Sequence, residues 1–509
     1  MQQPLEPVRL SRRQYAFFCI ALAAWICLLR FPFFIFDPFS WDEGLYWTIA
    51  QQMSKGARLY VDVWDNKPIG IFLIYSGLIK LFGDTATAIS LGSALAVYAT
   101  SLLLQQIINR GPRELSAGIA AAFVFPTYML DIGAGGANTE NFFIVLAAGA
   151  VLVVVAYVAN PNTRRSPVRV GFLFGLIEGA SCQIKFLTVI DTAALGLSLA
   201  YFCWIERRYM SDLARLAVAF ALGYTVCTLL AFLHAFAIGT FDEMIFSNFI
   251  SPRLYINSPT TTFTSLQSFD LAARRASYYW PLIAACVAYA TYLLRRSQLP
   301  PRAPALFVLC IWCGAAFLES VITGKFSYHY FIVLAPALST LGSVSAIRMS
   351  SRWLPGAWQS AVLATVLLTA HPLYLHSTKT LTRARLIQPS PDWLIAERTA
   401  AVAQPGSSVY IVDQSPEIYA LAHVTPATRF PFPYHIVDQP WLYGVDPQKE
   451  IARIFASHPA IVEVSPNFLA DRNSAVAPVI AAILARDYRQ IEVIREGLPS
   501  PVLVYARNR

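Results

Sequence analysis

Charged residues are scarce in this sequence. Asp, Glu, Lys and Arg make up 14% of its 509 residues, whereas 56% are hydrophobic and the mean hydropathy is +0.50. This balance excludes a soluble globular protein of this length. Apolar runs of about 17 to 25 residues, each long enough to cross a bilayer as a helix, recur from Tyr15 to about Leu375 and then stop. The sequence therefore predicts a multi-pass membrane protein followed by a water-soluble tail.

Cysteine is absent from everything after Cys313. All eight cysteines lie within or at the edge of apolar runs, so no disulfide is expected in the soluble tail. Cys310 and Cys313 have CxxC spacing, but they fall on a predicted membrane helix without partner His or Cys and are interpreted as packing residues. The first apolar run lacks a small-residue cleavage site and is interpreted as an uncleaved signal anchor.

The formal net charge of +9 does not indicate nucleic acid binding, because the arginines cluster in alternate loops. These arginines are Arg9, Arg12, Arg13, Arg110, Arg113, Arg164, Arg165, Arg169, Arg207, Arg208, Arg295, Arg296, Arg302, Arg348 and Arg352. By the positive-inside rule they mark the cytoplasmic side and predict about eleven spans. The predicted spans are roughly 15–36, 86–109, 115–131, 139–159, 169–187, 189–205, 212–238, 278–294, 303–323, 327–347 and 355–375. An odd number of spans, with the N-terminus inside, places the first loop and the C-terminal tail outside.

The first loop, residues 37–84, is too long for a simple connection and is expected to be structured. Residues Gly44 to Ser54 predict a short amphipathic helix, and Pro68 is well placed to start a second one, with both helices in or near the membrane interface. Two adjacent carboxylates, Asp42 and Glu43, open this loop among aromatic residues. On spacing alone, Asp42 is equally an N-cap for a helix that begins at Glu43.

Further charges fall at the predicted outer ends of spans. Between residues 81 and 378 there are only two lysines, Lys185 and Lys325, and both lie at such ends. Glu140 begins a span, and Glu178 is predicted to lie two turns before Lys185 on one helix face. Asp131 and Glu319 also lie near outer ends or inside spans. Each charge alone fits a structural ion pair or cap, but together they suit a site that binds an anionic lipid headgroup and performs acid–base chemistry.

Several segments resemble one family. SWDEGLYWTIAQQMSKGARLYVDVWDNKPIGIFLIY is similar to the first external loop of the membrane-embedded GT-C glycosyltransferases of the protein O-mannosyltransferase type, which include the lipid A aminoarabinose transferases. ANTENFFIVLA, CQIKFLTVIDTAAL and GKFSYHYFIVLAPAL resemble later segments of that family, in the same order and with the same predicted sidedness. The resemblance covers residues 15–375. It implies an α-helical polytopic GT-C fold with about eleven transmembrane helices.

The resemblance also implies a reaction. These enzymes transfer a sugar from a polyprenyl-phosphate carrier to an acceptor at the outer face of the membrane, with inversion at the anomeric carbon. By position, Asp42 matches the catalytic base, Glu43 its motif partner, and Glu140 the second acid. Lys67 matches the lysine that meets the donor phosphate, and Lys185 is a further candidate for that role.

Other residues of the expected site follow from the same resemblance. Lys325 is a third candidate for the donor phosphate, and His329 and Tyr330 are expected to line the pocket near it. The remaining pocket candidates are Tyr46, Asp65 and Asp131. A divalent metal cation is left open as a cofactor. In the aminoarabinose transferases a glutamate precedes the KP dipeptide, whereas here Asp65 and Asn66 occupy that region. The sequence shows no clear set of metal ligands.

The soluble tail predicts a small α/β domain over residues 388–509, after a transmembrane domain over residues 1–378. Apolar segments SSVYIVD, PAIVEVS, RQIEVIRE and PVLVYAR predict strands, and PQKEIARIFASH and SAVAPVIAAILARDY predict helices. The tail has no Gly-rich phosphate loop, and Asp413, His423 and His435 lack the spacing of metal ligands. Acceptor recognition, a lid over the site, and a purely structural role all remain open for it.

Two other classes of function remain open. One is a flippase or transporter of a lipid-linked saccharide. Two observations argue against it: the sequence has no internal repeat, and its charges cluster on one face of the predicted helix bundle. The other is a polysaccharide polymerase or ligase, which would use a diphosphate-linked donor. The expected partners are a polyprenyl-phosphate-linked sugar, an envelope lipid, glycan or protein acceptor, and membrane lipids, with no nucleic acid. The architecture suggests a bacterial inner membrane. In the outer loop 239–277, the residues Arg253, Arg274 and Arg275 could face an acidic acceptor or anionic lipids.

Overall fold

The structure is a computed structural model. It describes residues 10–35, 39–131, 135–159, 166–206, 210–256, 265–295, 303–354, 356–385, 390–404, 406–437, 440, 444–495, 498 and 500–508. Several arginines of the positive-inside pattern lie outside these described residues, namely Arg9, Arg164, Arg165, Arg207, Arg208, Arg296 and Arg302. Residues 37 and 38, at the start of the predicted first loop, also lie outside them.

Helices make up most of the described chain. In chain order they are α1 Arg12–Ile35, α2 Trp41–Ser54, α3 Gly70–Phe82, α4 Ala86–Arg110, α5 Leu115–Tyr128, α6 Thr139–Ala159, α7 Pro167–Cys182, α8 Val189–Ile205, α9 Met210–Ala237, α10 Phe241–Ile245, α11 Ser251–Ile256, α12 Ser265–Ala276, α13 Trp280–Arg295, α14 Pro304–Val321, α15 Leu334–Ser350, α16 Ala357–Arg385, α17 Pro391–Val402, α18 Glu417–Leu421, α19 Pro447–Ala456, α20 Pro466–Leu469 and α21 Ala477–Asp487. A π-helical turn, Phe246–Ile250, joins α10 to α11.

The chain divides into two compact units. The first unit comprises residues 1–32, 91–231 and 261–385, and the second comprises residues 33–90, 232–260 and 386–509. The second unit therefore combines the predicted first loop with residues 232–260 and the whole C-terminal part. The roles predicted for residues 1–378 and 388–509 as separate domains stay predictions.

Seven helical segments within the described residues are long and apolar enough to cross a membrane: Arg12–Ile35, Ala86–Arg110, Thr139–Ala159, Phe186–Ile205, Met210–Ala237, Pro304–Val321 and Tyr328–Ser350. The protein is therefore a multi-pass membrane protein. Each of the eleven predicted spans falls on a helix, but α5, α7 and α13 have 14, 16 and 16 residues. A spanning helix needs about 20 residues, so the predicted total of about eleven stays a prediction.

The first unit contains an unusually close helix contact. Gly171, Gly175 and Gly179 lie four residues apart on α7 and face α9. A Cβ atom added at Gly175 would overlap the carbonyl oxygen of Phe220, and one added at Gly223 of α9 would overlap that of Phe172. In lipid, where apolar surface gains nothing by leaving the solvent, such backbone-to-backbone packing is a main source of helix association.

The second unit contains a five-stranded mixed sheet. Its strands are β1 Ser408–Ile411, β2 Thr425–Pro426, β3 Ile461–Val464, β4 Tyr488–Ile494 and β5 Val502–Arg507, in the spatial order β2-β1-β3-β5-β4. β1 pairs in parallel with β2 and β3, whereas β5 pairs antiparallel with β3 and β4. The four strands and two helices predicted for this segment are present. β2 was not predicted, because two residues are too few to show an alternating pattern.

One buried carboxylate lies in this sheet. Glu463 of β3 is 0% exposed, and its Oε1 accepts a hydrogen bond from the Thr399 hydroxyl, while Oε2 has no hydrogen-bond partner among the described residues. Burial raises the pKa of Glu463 to about 7, and the nearby Glu492 contributes in the same direction. The folded state therefore holds this group protonated over a pH range in which an unfolded chain ionises it.

The α7–α9 contact predicts a sharp difference between two glycine substitutions. Gly175→Ala places a methyl group against backbone that cannot move away, and we expect it to destabilise the folded state by about 1–3 kcal/mol. Gly196→Ala on α8 is the matched control, because an added Cβ there meets nothing within 4 Å. Thermal unfolding of the detergent-solubilised protein measures both. Equal melting temperatures for the two variants would contradict the close-contact interpretation.

Glu463 predicts a pH dependence with a defined sign. Its pKa is raised on folding, so stability falls as the pH rises from about 4.5 to about 7 and then levels off, with a total loss of about 3 kcal/mol from this group. Glu463→Gln should remove that part of the pH slope in unfolding experiments on the full chain. Glu397→Gln, on the exposed side of α17, is the control and should leave the slope unchanged. A wild-type slope in Glu463→Gln would show that Glu463 ionises normally in the folded protein.

Candidate active site

The adjacent carboxylates of the DE pair have different environments. Ser40 is the N-cap of α2, and its backbone N–H donates to the Glu43 carboxylate over 2.7 Å. The alternative in which Asp42 caps a helix starting at Glu43 is therefore wrong. Helix α2 starts at Trp41, and the Glu43 carboxylate accepts the hydrogen bond of the backbone N–H at its N-cap. Glu43 is buried, whereas Asp42 remains half-buried. Glu43 thus stabilises the start of α2, while the Asp42 carboxylate stays partly accessible to solvent.

Helix α2 is buried on every side. All residues from Glu43 to Gln52 are buried, so the predicted amphipathic face is absent. Gly44 packs directly on Glu417, where an added Cβ would lie 2.7 Å from the Glu417 Cβ. The Thr48 hydroxyl donates to the Pro416 carbonyl over 2.7 Å, and the Gln51 amide donates to the Ala420 carbonyl over 3.1 Å. Contacts with α18, far away in sequence, therefore cover the face that was expected to be polar and exposed.

Tertiary hydrogen bonds hold the segment Trp64–Lys67 in place. The Tyr60 hydroxyl donates to the Lys67 carbonyl over 3.0 Å and accepts from the Asn248 side chain over 3.1 Å. The backbone N–H of Trp64 donates to the Arg429 carbonyl over 2.7 Å. Residues from all three parts of the second unit therefore fix the backbone that carries Lys67. The Lys67 ammonium itself donates to Asn66 Oδ1 over 2.9 Å.

Asp42, Asp65 and Lys67 interact electrostatically. Asp65 is 2% exposed; its Oδ1 accepts from the Asn66 backbone over 2.6 Å, and its Oδ2 has no hydrogen-bond partner among the described residues. Burial raises the pKa of Asp65, Asp42 adds to this effect, and Lys67 opposes it. Asp42 and Lys67 thus both lie within electrostatic range of Asp65 in the second unit.

Two further residues of this region were not singled out for the site. His435 is fully buried, and burial together with the nearby Lys67 lowers the pKa of its imidazole well below the ordinary value. Burial raises the pKa of the Tyr255 phenol, while Lys67 and Asp42 act on it electrostatically in opposite directions. Neither residue carries a sequence signal, since each reaches Lys67 from a segment far away in the chain.

In the first unit, Glu140 and Lys185 form a buried ion pair. The Lys185 ammonium also lies over the Tyr330 ring, 4.4 Å from its centroid. His329 lies within electrostatic range of Glu140, and its ring meets that of Tyr330 edge-on at 4.6 Å. His329 and Tyr330 thus lie beside the Glu140–Lys185 pair, and their predicted place in a pocket near Lys325 stays a prediction.

The predicted pairing of Glu178 with Lys185 on one helix face is wrong. Helix α7 ends at Cys182, and Lys185 lies in the connection beyond it. Glu178 instead accepts a hydrogen bond from the Thr192 hydroxyl over 2.8 Å and interacts with Asp191 and Glu319, all three carboxylates being buried. The helix simply stops before the second turn that the pairing required.

Arg30 is a buried residue that the sequence reasoning missed. Its guanidinium donates to the Gly135 carbonyl over 2.6 Å, to the Gly136 carbonyl over 3.1 Å, and to the Ser93 hydroxyl over 2.8 Å. Asn141 donates to the same Gly136 carbonyl over 2.7 Å. This network holds the loop immediately before α6 and so positions Glu140. Arg30 could have been identified from the sequence, because it is a single arginine inside an otherwise apolar run.

Three predicted residues have other surroundings. Lys325 is half-buried in a tight turn in which Phe326 has a φ of 50°, and burial lowers the pKa of its ammonium. Tyr46 is 1% exposed and packs edge-on against Phe72 and Tyr75 of α3, so it contributes to the core. Asp131 follows the end of α5 and interacts electrostatically with Tyr278 and Tyr279.

The described residues contain no evident metal-binding cluster. Among the residues that the structure describes, no three His, Cys, Asp or Glu side chains come together as a metal-binding group. Asp65 has a buried oxygen without a hydrogen-bond partner among the described residues, and a divalent cation as cofactor stays a prediction.

Comparison with known proteins places the fold. No protein-family model and no curated protein matches the chain. Among solved structures, ArnT from Cupriavidus metallidurans bound to undecaprenyl phosphate matches 97% of this chain and 98% of its own, with a TM-score of 0.63 and 14% identity. The chain has the GT-C fold.

Two other structures are similar to this GT-C chain. The apo form of the same ArnT matches 96% of it and 98% of its own chain, with a TM-score of 0.62 and 15% identity. An oligosaccharyltransferase from Archaeoglobus fulgidus covers 98% of it and 74% of its own chain, with a TM-score of 0.49 and 12% identity. The two ArnT structures confirm, at the level of the fold, the resemblance noted in the sequence.

The Glu140–Lys185 pair predicts a strong coupling in stability. Lys185→Met or Glu140→Gln alone leaves the other charged group buried and unpaired, and each should cost about 3–5 kcal/mol. The double variant Glu140→Gln/Lys185→Met removes both charges and should unfold at a higher temperature than either single variant. Thermal unfolding in detergent measures all three. Additive losses in the double variant would show that the two groups do not depend on each other.

Proposed function

We propose that this protein is an inverting glycosyltransferase that transfers a sugar from a polyprenyl-phosphate carrier to a cell-envelope acceptor. The observation that carries the proposal is the convergence of Asp42, Asp65 and Lys67 within the second unit of a GT-C chain. A half-buried carboxylate and a half-buried ammonium, both within electrostatic range of Asp65, provide the two charges that this transfer needs. One accepts a proton from the acceptor, and the other meets the phosphate that departs.

In the proposed mechanism, the Asp42 carboxylate takes the proton of an acceptor hydroxyl. The hydroxyl oxygen attacks the anomeric carbon from the face opposite the phosphate, so the new bond forms with inversion. The bond between the anomeric carbon and the phosphate oxygen breaks, and its electron pair leaves with the polyprenyl phosphate. The Lys67 ammonium stabilises the negative charge that develops on that oxygen.

The neighbours of these two residues support their roles. Glu43 holds the start of α2 and thereby fixes the position of Asp42. His435 is kept neutral by burial and by Lys67, so it adds no second positive charge beside the ammonium. Lys185 and Lys325 stay candidates for phosphate binding, and Glu140 stays the candidate second acid. Because Glu140 already neutralises Lys185, Lys67 is the best candidate for the donor phosphate.

The donor class is inferred from the fold. The ArnT structure with undecaprenyl phosphate matches almost the whole chain, which supports a polyprenyl-phosphate-linked sugar here. The donated group is a hexose or a pentose, and the acceptor is a lipid, a glycan or a protein. We place the protein in the bacterial inner membrane, with the second unit and the reaction on the periplasmic side, because the arginine-rich loops mark the opposite side.

The proposal predicts transfer that depends on Asp42 and Lys67. Purified protein in proteoliposomes is offered labelled undecaprenyl-phosphate sugars with an envelope lipid extract as acceptor. Asp42→Asn should lower kcat by about 10²–10⁴ because it removes the base. Lys67→Met should lower it by about 10²–10³ because the leaving phosphate loses its cation. Asp62→Asn is the matched control, an exposed carboxylate of the same loop paired with Arg58 at 3.0 Å.

Three outcomes would contradict this function. Full transfer by Asp42→Asn would remove the proposed base. Labelled lipid that crosses the bilayer without transfer, equally in wild type and Asp42→Asn, would indicate a flippase. Transfer from a diphosphate-linked donor alone would indicate a polymerase or ligase. A loss in Asp62→Asn equal to that in Asp42→Asn would show a general effect on folding.

A further inference from the structure

Three aromatic rings meet directly beside Asp42. Trp41 is the residue before it and the first residue of α2. The Phe432 and Tyr434 rings stack on each other with centroids 5.3 Å apart and an interplanar angle of 27°. Trp41 meets both rings edge-on, with centroids at 6.0 Å and 5.8 Å. We call Trp41, Phe432 and Tyr434 the aromatic platform.

The platform is accessible from outside the protein. Tyr434 is 40% exposed, and Trp41 and Phe432 are half-buried. The adjoining residues anchor it: Pro433 and His435 are buried, and His435 packs against the Trp64 ring with centroids 4.9 Å apart. The platform therefore combines exposed ring surface with a rigid support, which is an arrangement suited to binding.

The platform also adjoins the groups proposed for the chemistry. Tyr255 lies within electrostatic range of Asp42, Lys67 and Tyr434. This places Tyr434, from the C-terminal part of the chain, in the same neighbourhood as the proposed base and the proposed phosphate ligand. A molecule that brings a hydroxyl to Asp42 and extends by a few ångströms would therefore reach these rings.

We propose that the aromatic platform binds a sugar ring of the acceptor, so that the acceptor is a glycan or glycolipid. This inference rests on the proposed function, because it takes Asp42 as the base that receives the acceptor proton. The C–H face of a sugar ring is apolar and packs on the negative face of an aromatic ring, while its hydroxyl groups stay at the edge and reach polar partners. Trp41 presents such a surface at the residue next to Asp42. The C-terminal segment, through Phe432 and Tyr434, then determines which acceptor is used.

The test separates acceptor binding from donor chemistry. In proteoliposomes, Trp41→Ala and Tyr434→Ala should each raise the acceptor KM about tenfold or more, which corresponds to the loss of one ring contact. The donor KM and the slow release of the donor sugar to water should stay within about twofold of wild type. Trp41→Phe and Tyr434→Phe keep an aromatic face and should retain most of the affinity for the acceptor.

A matched control addresses exposed aromatic residues in general. Trp353 is 84% exposed and lies between α15 and α16, so Trp353→Ala should change neither KM. If Trp41→Ala does not fold, Tyr434→Ala decides the question, because its ring is the most exposed of the three. Acceptor KM values equal to wild type, or equal increases in the donor and acceptor KM, would overturn the platform.

A direct binding measurement distinguishes failure of the platform from failure of the proposed function. Saturation-transfer NMR on the full-length protein uses the deacylated core oligosaccharide of lipopolysaccharide as the probe, with a sugar-free Ser/Thr peptide and phosphatidylglycerol vesicles for comparison. Transfer of saturation to the sugar C–H protons, lost in Tyr434→Ala, supports the platform even if wild type shows no glycosyl transfer. Tyr434-dependent binding of the vesicles or the peptide instead of the oligosaccharide would overturn it, in favour of a membrane anchor or a protein acceptor.

Discussion

Lipid offers no partner to a charge or to a backbone hydrogen-bonding group, and the first unit is organised by that constraint. Arg30 supplies donors to the carbonyls of the glycine-rich loop before α6, which lipid could not do. The Glu140–Lys185 pair neutralises two charges that neither lipid nor an apolar core could hold separately. Between α7 and α9, glycines bring two helices so close that backbone meets backbone. Each feature replaces solvation that a soluble protein would obtain from water.

In the second unit, buried side chains lie around charged groups that remain half-exposed. Under the proposed function, water and substrate can reach these charged groups while the side chains that support them stay rigid. Glu43, Asp65 and His435 are buried around Asp42 and Lys67, which are not. Hydrogen bonds from Tyr60 and to the Arg429 carbonyl hold the backbone that carries Lys67. Under the proposed function, the rigidity of this shell places the base and the cation in a fixed geometry, which is where a transferase gains most of its rate.

Comparison of the expected and observed elements shows which kinds of inference failed. Apolar runs located the helices well, because burial in lipid needs a continuous apolar stretch and leaves a strong signal. The face of α2 was misjudged because its partner α18 lies more than 360 residues further along the chain. Glu178 and Lys185 were paired on a helix that in fact ends between them, at Cys182. Such helix ends depend on local turn geometry, which periodicity does not record.

The sequence by itself determined that the chain crosses a membrane several times and that its tail forms strands and helices, and it predicts Asp42 and Lys67 as site residues. Hydrophobicity, periodicity and motif order are properties of neighbouring residues, and so they can be read from the sequence alone. Tertiary structure alone decided that α18 covers α2, that Lys185 pairs with Glu140, and that His435, Tyr255 and Tyr434 join the region of Lys67. These contacts join segments separated by tens to hundreds of residues, and each depends on the packing of elements whose interaction energies leave no local pattern in the chain.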